Sequence, residues 1–488
     1  MNRIGRFLWP VALLVLAGFT AARGAPVTEA EAVAVADVRY AMELNSVHLQ
    51  MDAAEKADRL VRISSHRTYY FVGKDSLTAT APRDGIVMAY IVAYEPAGFI
   101  VVAGDDRASP ILAASTESRF SLNMTHPDWL RIYLTGGYEP QWSMLAGSAH
   151  QGWSWMRSRL GEPLDRVTFG NETDDAYVLW PTAAWGQWGP YNDTVAAHCG
   201  GNPDVPTGCV ATAMAIMLRH FQYPPSGNGE AEYDDEVNGM NYHHHVNYGT
   251  ASYNWSAMPL NSNPRPSNEV ARLMYHCGVA VEMDYDTAGS GAYVSDVPDE
   301  VNDHFRYRGT DHATTYKITR TYRTIFARSL AIWGGAGHAV IVSGYREPAD
   351  SSFYVNAGYE GDRNGWYNTS FMPSGPAPGG GPVERVAWGA TPNNWRMVDS
   401  MIGSTSGSGT IGSPYLRLSS GEANTPSGGT MVVCQGGYHS TGDVPITFRT
   451  PKTIRTYARP GIVRMGTRLR QYSDAAIRIN SGGALKIN

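Results

Sequence analysis

The stretch PTGCVATAMAIMLRHF, residues 206–221, decides how the rest of the chain is read. Val210, Met214, Met217 and Leu218 recur at helical spacing, and Pro224 and Pro225 stop the run, so Cys209 opens a helix. Unpaired amide groups and the helix dipole favour a thiolate at that end. Cys209 could equally be a packed thiol, half of a disulfide or a metal ligand, because free cysteine behaves as a small hydrophobe.

A nucleophilic thiol needs a base. His338 lies in WGGAGHAVIVSGY, 129 residues downstream, after four small residues and at the start of an apolar run. Papain-like enzymes place their histidine roughly 130–150 residues after the cysteine. Glycines such as Gly337 leave room for a substrate backbone. Asn356 in FYVNAGYEG follows on the next expected strand and would orient the imidazole. Gln187 in WGQWGPYN offers a side-chain amide to an oxyanion, with the Cys209 amide as second donor.

Composition sets the frame. The chain has 488 residues, 43% hydrophobic and 17% charged, enough for about three domains with real cores. A net charge of −6 gives no reason to expect nucleic acid as a partner. Arg3 and Arg6, the apolar run Phe7 to Phe19 and small residues at Ala21, Ala22, Gly24 and Ala25 read as a secretory signal over 1–25. That run is too short for a comfortable membrane span, and no transmembrane segment is expected elsewhere. Export permits disulfides, but Cys199, Cys209, Cys277 and Cys434 are scattered. Cys199 and Cys277 could pair, although sequence does not fix the pairing.

Residues 26–66 carry a helical pattern, 68–115 short β runs, and 127–160 helical patterns again. The polar strip FGNETDDAY, 169–177, reads as an exposed linker. A mixed block follows over 179–392. Beyond 393 comes a Gly/Ser-rich stretch read as a linker, then β-like pieces to 488. YHHHV at 242–246 is not read as a metal centre, since adjacent strand residues face opposite ways and no Cys or acidic ligand pattern surrounds it. The Gly-rich run at 374–390 lacks a phosphate-loop lysine and reads as a cleft-edge loop. No metal or cofactor is expected.

WGQWGPYN, TGCVATAMAIMLRHFQYP, YNW, VAVEMDYDTAGSGA, GGAGHAVIVSGY and VNAGYEGDRNGWY occur in that order, behind GFIVVAGDDRASPILAAST. Together they resemble the streptopain family of secreted bacterial cysteine peptidases. The resemblance implies an α+β chain: a signal peptide at 1–25, an inhibitory α/β pro-domain at 26–178, a papain-like catalytic domain at 179–392, and a small β extension at 393–488. It makes Cys209 the nucleophile, His338 the base and Gln187 the oxyanion donor. Tyr285, Ser290 and Gly291 fall in the loop bordering the family's cleft, with Gly337 and Tyr359 beside it as further substrate-binding positions. The implied activity is that of a cysteine endopeptidase made as a zymogen, secreted or held at the cell surface. It would act on polypeptides and be held by its own pro-domain, with cleavage between about 160 and 180. A catalytically degenerate binding or adhesin protein is the alternative. One departure stands out: the family reads V-N-W-G-W after the histidine, where this chain has Ala357 and Tyr359. The His–Asn pair is therefore expected to be wetter and the ring less restrained.

Overall fold

The computed structural model describes residues 25–169, 177–261, 268–373 and 385–434, apart from 47–48, 50, 74–75, 84, 123–127, 143, 314–317, 336, 347–350 and 400–402. Beyond 434 it describes the strand pieces at 446–448, 450–457, 477–479 and 485–487. The signal-peptide reading, the core of the polar strip and most of the Gly-rich run at 374–390 lie outside the described residues.

The N-terminal part packs the Glu29–Asn45 helix on an antiparallel sheet of strands His66–Phe71, Leu77–Thr78, Ala89–Tyr94, Phe99–Ala103 and Ile111–Ser115. The apolar run of the last two strands is buried throughout, as a strand covered on both faces requires. The 127–160 region breaks into short helices around Trp129–Ile132 and Gln151–Arg157.

The next domain is two-layered. Its helical layer contains Cys209–Phe221 packed on Asn268–Ala280. Its sheet carries the strands Ala331–Gly335, His338–Arg346, Ser352–Asn356 and Gly365–Asn368 in antiparallel order. The Cys209 helix lies against the His338–Arg346 strand, and Val210 to Leu218 are all buried. This α+β division, with a cysteine on the helix and a histidine on the sheet, is the papain-like plan.

The two sheets are one. Strand Gly365–Asn368 pairs with Ile111–Ser115, joining Trp366 to Ala114 and Tyr367 to Ala113. Buried ions bolt the joint. Arg363 meets Asp128 (Nε–Oδ1 2.8 Å) and also donates to the carbonyls of Arg119 and Ser121. Arg346 meets Glu43 at 2.9 Å, which Arg39 also holds. Removing one partner strands the other charge away from water. Arg363→Ala is thus expected to destabilise the chain by about 3–5 kcal/mol in urea unfolding. A loss below about 1 kcal/mol would mean that Asp128 finds water instead.

The C-terminal strands Trp395–Val398, Thr430–Cys434, Lys452–Tyr457 and Leu485–Ile487 stack in parallel, in chain order. The Gly/Ser-rich stretch is not a free linker over its described part. Its residues fold back on the first of these strands, with Met397 N–H donating to Gly409 O and Tyr415 N–H to Met397 O at 2.9 Å each. Trp395 in turn packs on Phe221, ring centroids 5.3 Å apart, so the module is docked on the Cys209 helix.

Candidate active site

Gly208 precedes the helix with φ at +83°, and a side chain there would strike Met283 and the Ser290 carbonyl. Glycine therefore lets the chain turn sharply and deliver Cys209 as the first helical residue. Opposite, His338 opens its strand after Gly337, φ +84°. Cys209, Ser290, Gly291, Gly337 and His338 line one cleft of about 570 Å³. Ser290 is held by its hydroxyl on Pro206 O at 2.7 Å, and Asp284 and Gly291 exchange two backbone bonds of 2.9 Å. The loop wall is thus tied to the segment that leads into Cys209.

The other named residues lie differently. Tyr285 is fully buried, its ring 5.2 Å from that of His244 on the strand Met240–Asn247, so it does not face the cleft. Only its backbone serves the loop, donating to Asp235 at 2.9 Å. Asn356 does not orient His338. Its Nδ2 donates to Thr182 Oγ1 and Ala183 O at 2.9 Å, and its Oδ1 accepts from Gly358 N–H at 3.0 Å. It stands across from Ile341 rather than His338, which places it too far along the strand.

His338 is 4% exposed. Nε2 bonds Ala357 O at 2.9 Å, and the Tyr359 hydroxyl lies 3.2 Å from Nδ1, over the face of the imidazole. The two rings are stacked, 4.9 Å apart and 8° from parallel. Trp188 stacks on the outer side of Tyr359 at 6.3 Å, and Trp129 of the N-terminal domain approaches His338 at 6.3 Å. The expected wet, loose histidine is therefore absent: Tyr359 supplies the cover that Ala357 does not. Tyr359 is accordingly a partner of the base, not a wall of the cleft. Gln187 is buried.

Burial pushes the His338 pKa down to about 4, against the Ala357 carbonyl, which raises it. The Cys209 thiol is raised from its ordinary value, burial outweighing the N–H groups of Ala339, Cys209 and Val210. The helix terminus alone does not make a thiolate here. An imidazolium beside the sulfur is what would, and burial disfavours that form of His338.

Cys199 and Cys277 are buried free thiols, not a disulfide. Cys199 ends a short helix and Cys277 sits inside another, and burial raises both, so they are inert. Among the described residues no group of three or more His, Cys, Asp or Glu has a metal-holding arrangement. Acidic residues do flank the histidine run, but across the hairpin: Asp234 meets His243 at 2.8 Å and Glu230 meets His245 at 3.5 Å. No described helix is long and apolar enough to cross a membrane.

Residues 185–367 match the Peptidase C10 family, and residues 24–136 match the Spi protease inhibitor family. The thiol protease/hemagglutinin PrtT of Porphyromonas gingivalis is 27% identical over 58% of this chain, which spans only 33% of that protein's length. Streptopain of Streptococcus pyogenes is 25% identical over 60% of this chain and 76% of its own. A prointerpain A fragment from Prevotella intermedia superposes with a TM-score of 0.47 at 25% identity, covering 62% of this chain and 96% of that one. The chain therefore carries a Peptidase C10 family domain behind a Spi-inhibitor-like domain, and that part of it is similar to streptopain and PrtT.

Proposed function

We propose that the chain is the zymogen of an exported cysteine endopeptidase. The observation that carries this reading is Cys209 at the head of a buried helix, sharing one cleft with His338. In the working arrangement His338 takes the thiol proton, and the thiolate attacks the peptide carbonyl to give a thioester. His338 then protonates the leaving amine and activates water for deacylation. Gln187 and the Cys209 amide hold the oxyanion. The N-terminal domain, fused to the catalytic sheet, is the inhibitor, and cleavage near 160–180 frees the enzyme. The test is digestion of an unfolded protein by chain freed of its N-terminal domain, before and after thiol alkylation. Digestion that survives alkylation contradicts the peptidase reading. Intact substrate in both arms leaves the binding-protein alternative standing.

Among the described residues, the cleft lining includes Glu282, Asp284 and Asp296 and no lysine or arginine. Carboxylates around a partly enclosed cleft concentrate cationic ligands. Peptides with Lys or Arg near the scissile bond are expected to show kcat/KM roughly tenfold above their Glu counterparts at low salt, converging at high salt. Equal values at low salt would show that these side chains do not read the substrate.

A further inference from the structure

The chain enters its N-terminal domain beside a buried carboxylate. Ala25 N–H donates to Asp106 Oδ1 at 2.8 Å, Asp106 N–H donates to Ala25 O at 3.1 Å, and Val27 N–H donates to Gly104 O at 2.9 Å. Pro26 bridges Asp105 between them and has no N–H of its own. Residues 25–27 thus run antiparallel beside 104–106. Asp106 is 6% exposed. Arg157 approaches its Oδ2 at 3.6 Å but donates to Glu31 at 2.7 Å, and Arg107 is held by Asp105 at 2.6 Å. A buried charge, costly unless closely paired, therefore aims its Oδ1 at a neutral backbone N–H. The sequence places a second mark at the same point. Ala22 and Gly24 are the third and first residues before Ala25, the small-x-small pattern of a leader cleavage site. A cut one residue later would put Arg23 in the third position.

We propose that Gly24–Ala25 is the bond cut when the leader is removed, and that Asp106 is the seat of the α-ammonium this cut creates at Ala25. The proposal rests on the exported-zymogen reading and adds to it how the N-terminal domain is closed. Under a signal peptidase of the exporting cell, water adds across the bond. The C–N bond breaks, the leader leaves with Gly24 as a carboxylate, and the Ala25 nitrogen takes up a proton, since an α-amine is mostly protonated at neutral pH. The nitrogen keeps its place, and its bond to Asp106 becomes charge-assisted at both ends. Such bonds are roughly twice as strong as neutral ones. A cut after Ala22 would leave a neutral peptide nitrogen at residue 25, and a cut after Ala25 would remove the donor. The segment fastened in this way leads into the Glu29–Asn45 helix. Asp106 O also accepts from His150 N–H at 2.7 Å, just before the Gln151–Arg157 helix. The ion pair therefore ties the entry of the first helix to the loop before the last, and the domain read as the inhibitor is most stable once its leader is gone.

The test uses the full chain exported from a bacterial host, carrying Cys209→Ala so that self-cleavage does not shorten it. Intact mass and N-terminal sequencing are expected to give Ala25 as the first residue. Any other first residue overturns the proposal, and retention of Met1 contradicts export as well. The seat is measured on the same protein by competitive acetylation of the α-amine against pH, read from the mass of its N-terminal peptide. Asp106→Asn keeps the shape and an acceptor oxygen but removes the charge. The amine is expected to hold its proton about tenfold more tightly in the folded parent chain than in folded Asp106→Asn. Its stabilising contribution is then present at neutral pH and lost as pH rises through the amine's folded value. Equal proton affinities in the two folded chains overturn the proposal. The urea-unfolded parent chain is a second reference that needs no Asp106 variant: an amine that titrates alike folded and unfolded overturns the proposal even if Asp106→Asn does not fold. Neither readout involves peptide hydrolysis by this chain. A zymogen that starts elsewhere yet yields a thiol-dependent peptidase sinks this proposal alone, and one that starts at Ala25 yet digests nothing sinks the peptidase reading alone.

Discussion

Cys209→Ala, in chain freed of its N-terminal domain, is expected to lose turnover by about 10⁴-fold or more while keeping its fold. Among the described residues, the substitution removes the only sulfur on the cleft wall. Alanine is a good helix former and fills most of the same space, so stability should change by about 1 kcal/mol or less. His338→Ala should cost turnover on a similar scale, because groups that act as a unit fail together. Asn356→Ala should behave differently. Its amide ties Thr182 and Ala183 to the turn at Gly358, so the loss should fall chiefly on stability, by about 1–3 kcal/mol for the stranded partners. Steady-state kinetics and urea unfolding on the three variants separate these cases. Near-normal kcat in Cys209→Ala would remove the thiol from the mechanism, whatever the other two show.

The contrast between His338 and Asn356 marks where sequence stops being legible. The Cys209 helix could be read because its apolar positions recur at 3.6 residues and prolines close it. The His338 strand could be read because an apolar run follows a glycine cluster. Both give position along an element, and the elements then face each other by packing. The partners of His338 depend on how residues 357–363 curl. Gly358, Glu360, Gly361 and Arg363 all have positive φ, and Asn364 Oδ1 caps Ala357 N–H at 2.9 Å. That curl swings Tyr359 back over the imidazole and carries Asn356 away from it. Counting residues from the family's tryptophans made Ala357 look like a missing shield. The covering ring instead comes from two residues further on, with Trp129 arriving from another domain altogether.

Pairing across strands is the other thing a linear reading lacks. Glu232 faces His245 and Asp234 faces His243 only because the hairpin turns at Asn238 and Gly239. The C-terminal strands were visible as apolar pieces. That they stack in parallel with rungs such as Trp395 on Thr430 and Thr430 on Thr453 is a property of the connections. The fusion of two sheets through Trp366 and Ala114 is of the same kind. Those strands are far apart in the chain, and each reads simply as buried β.

Acidification is expected to destabilise the full chain by about 4–5 kcal/mol between pH 7 and pH 5. Burial is the leading cause of depressed pKa values at His338 and His244, both about 4, and at His276, about 3, from an ordinary 6.5. His338 faces Ala357 O and Tyr359; His244 faces Tyr275 with Asp235 at 3.9 Å; His276 faces Tyr253, with Arg272 adding to its depression. Each stays neutral in the fold where the unfolded chain takes up a proton. Stability is therefore complete above 6.5 and falls as pH drops towards the folded values, by about 1.4 kcal/mol per unit for each group. Three groups over the interval from 6.5 to 5 give roughly 6 kcal/mol. Asp37 works the other way. Burial raises it to about 6, so its protonation favours the fold as pH falls and returns roughly 1.4 kcal/mol. The remainder is a large share of the 5–15 kcal/mol typical of a folded domain. Urea unfolding at the two pH values measures it, and His244→Gln should flatten the slope by one group's share. Equal unfolding midpoints at pH 7 and pH 5 would show that these histidines are reached by water without unfolding.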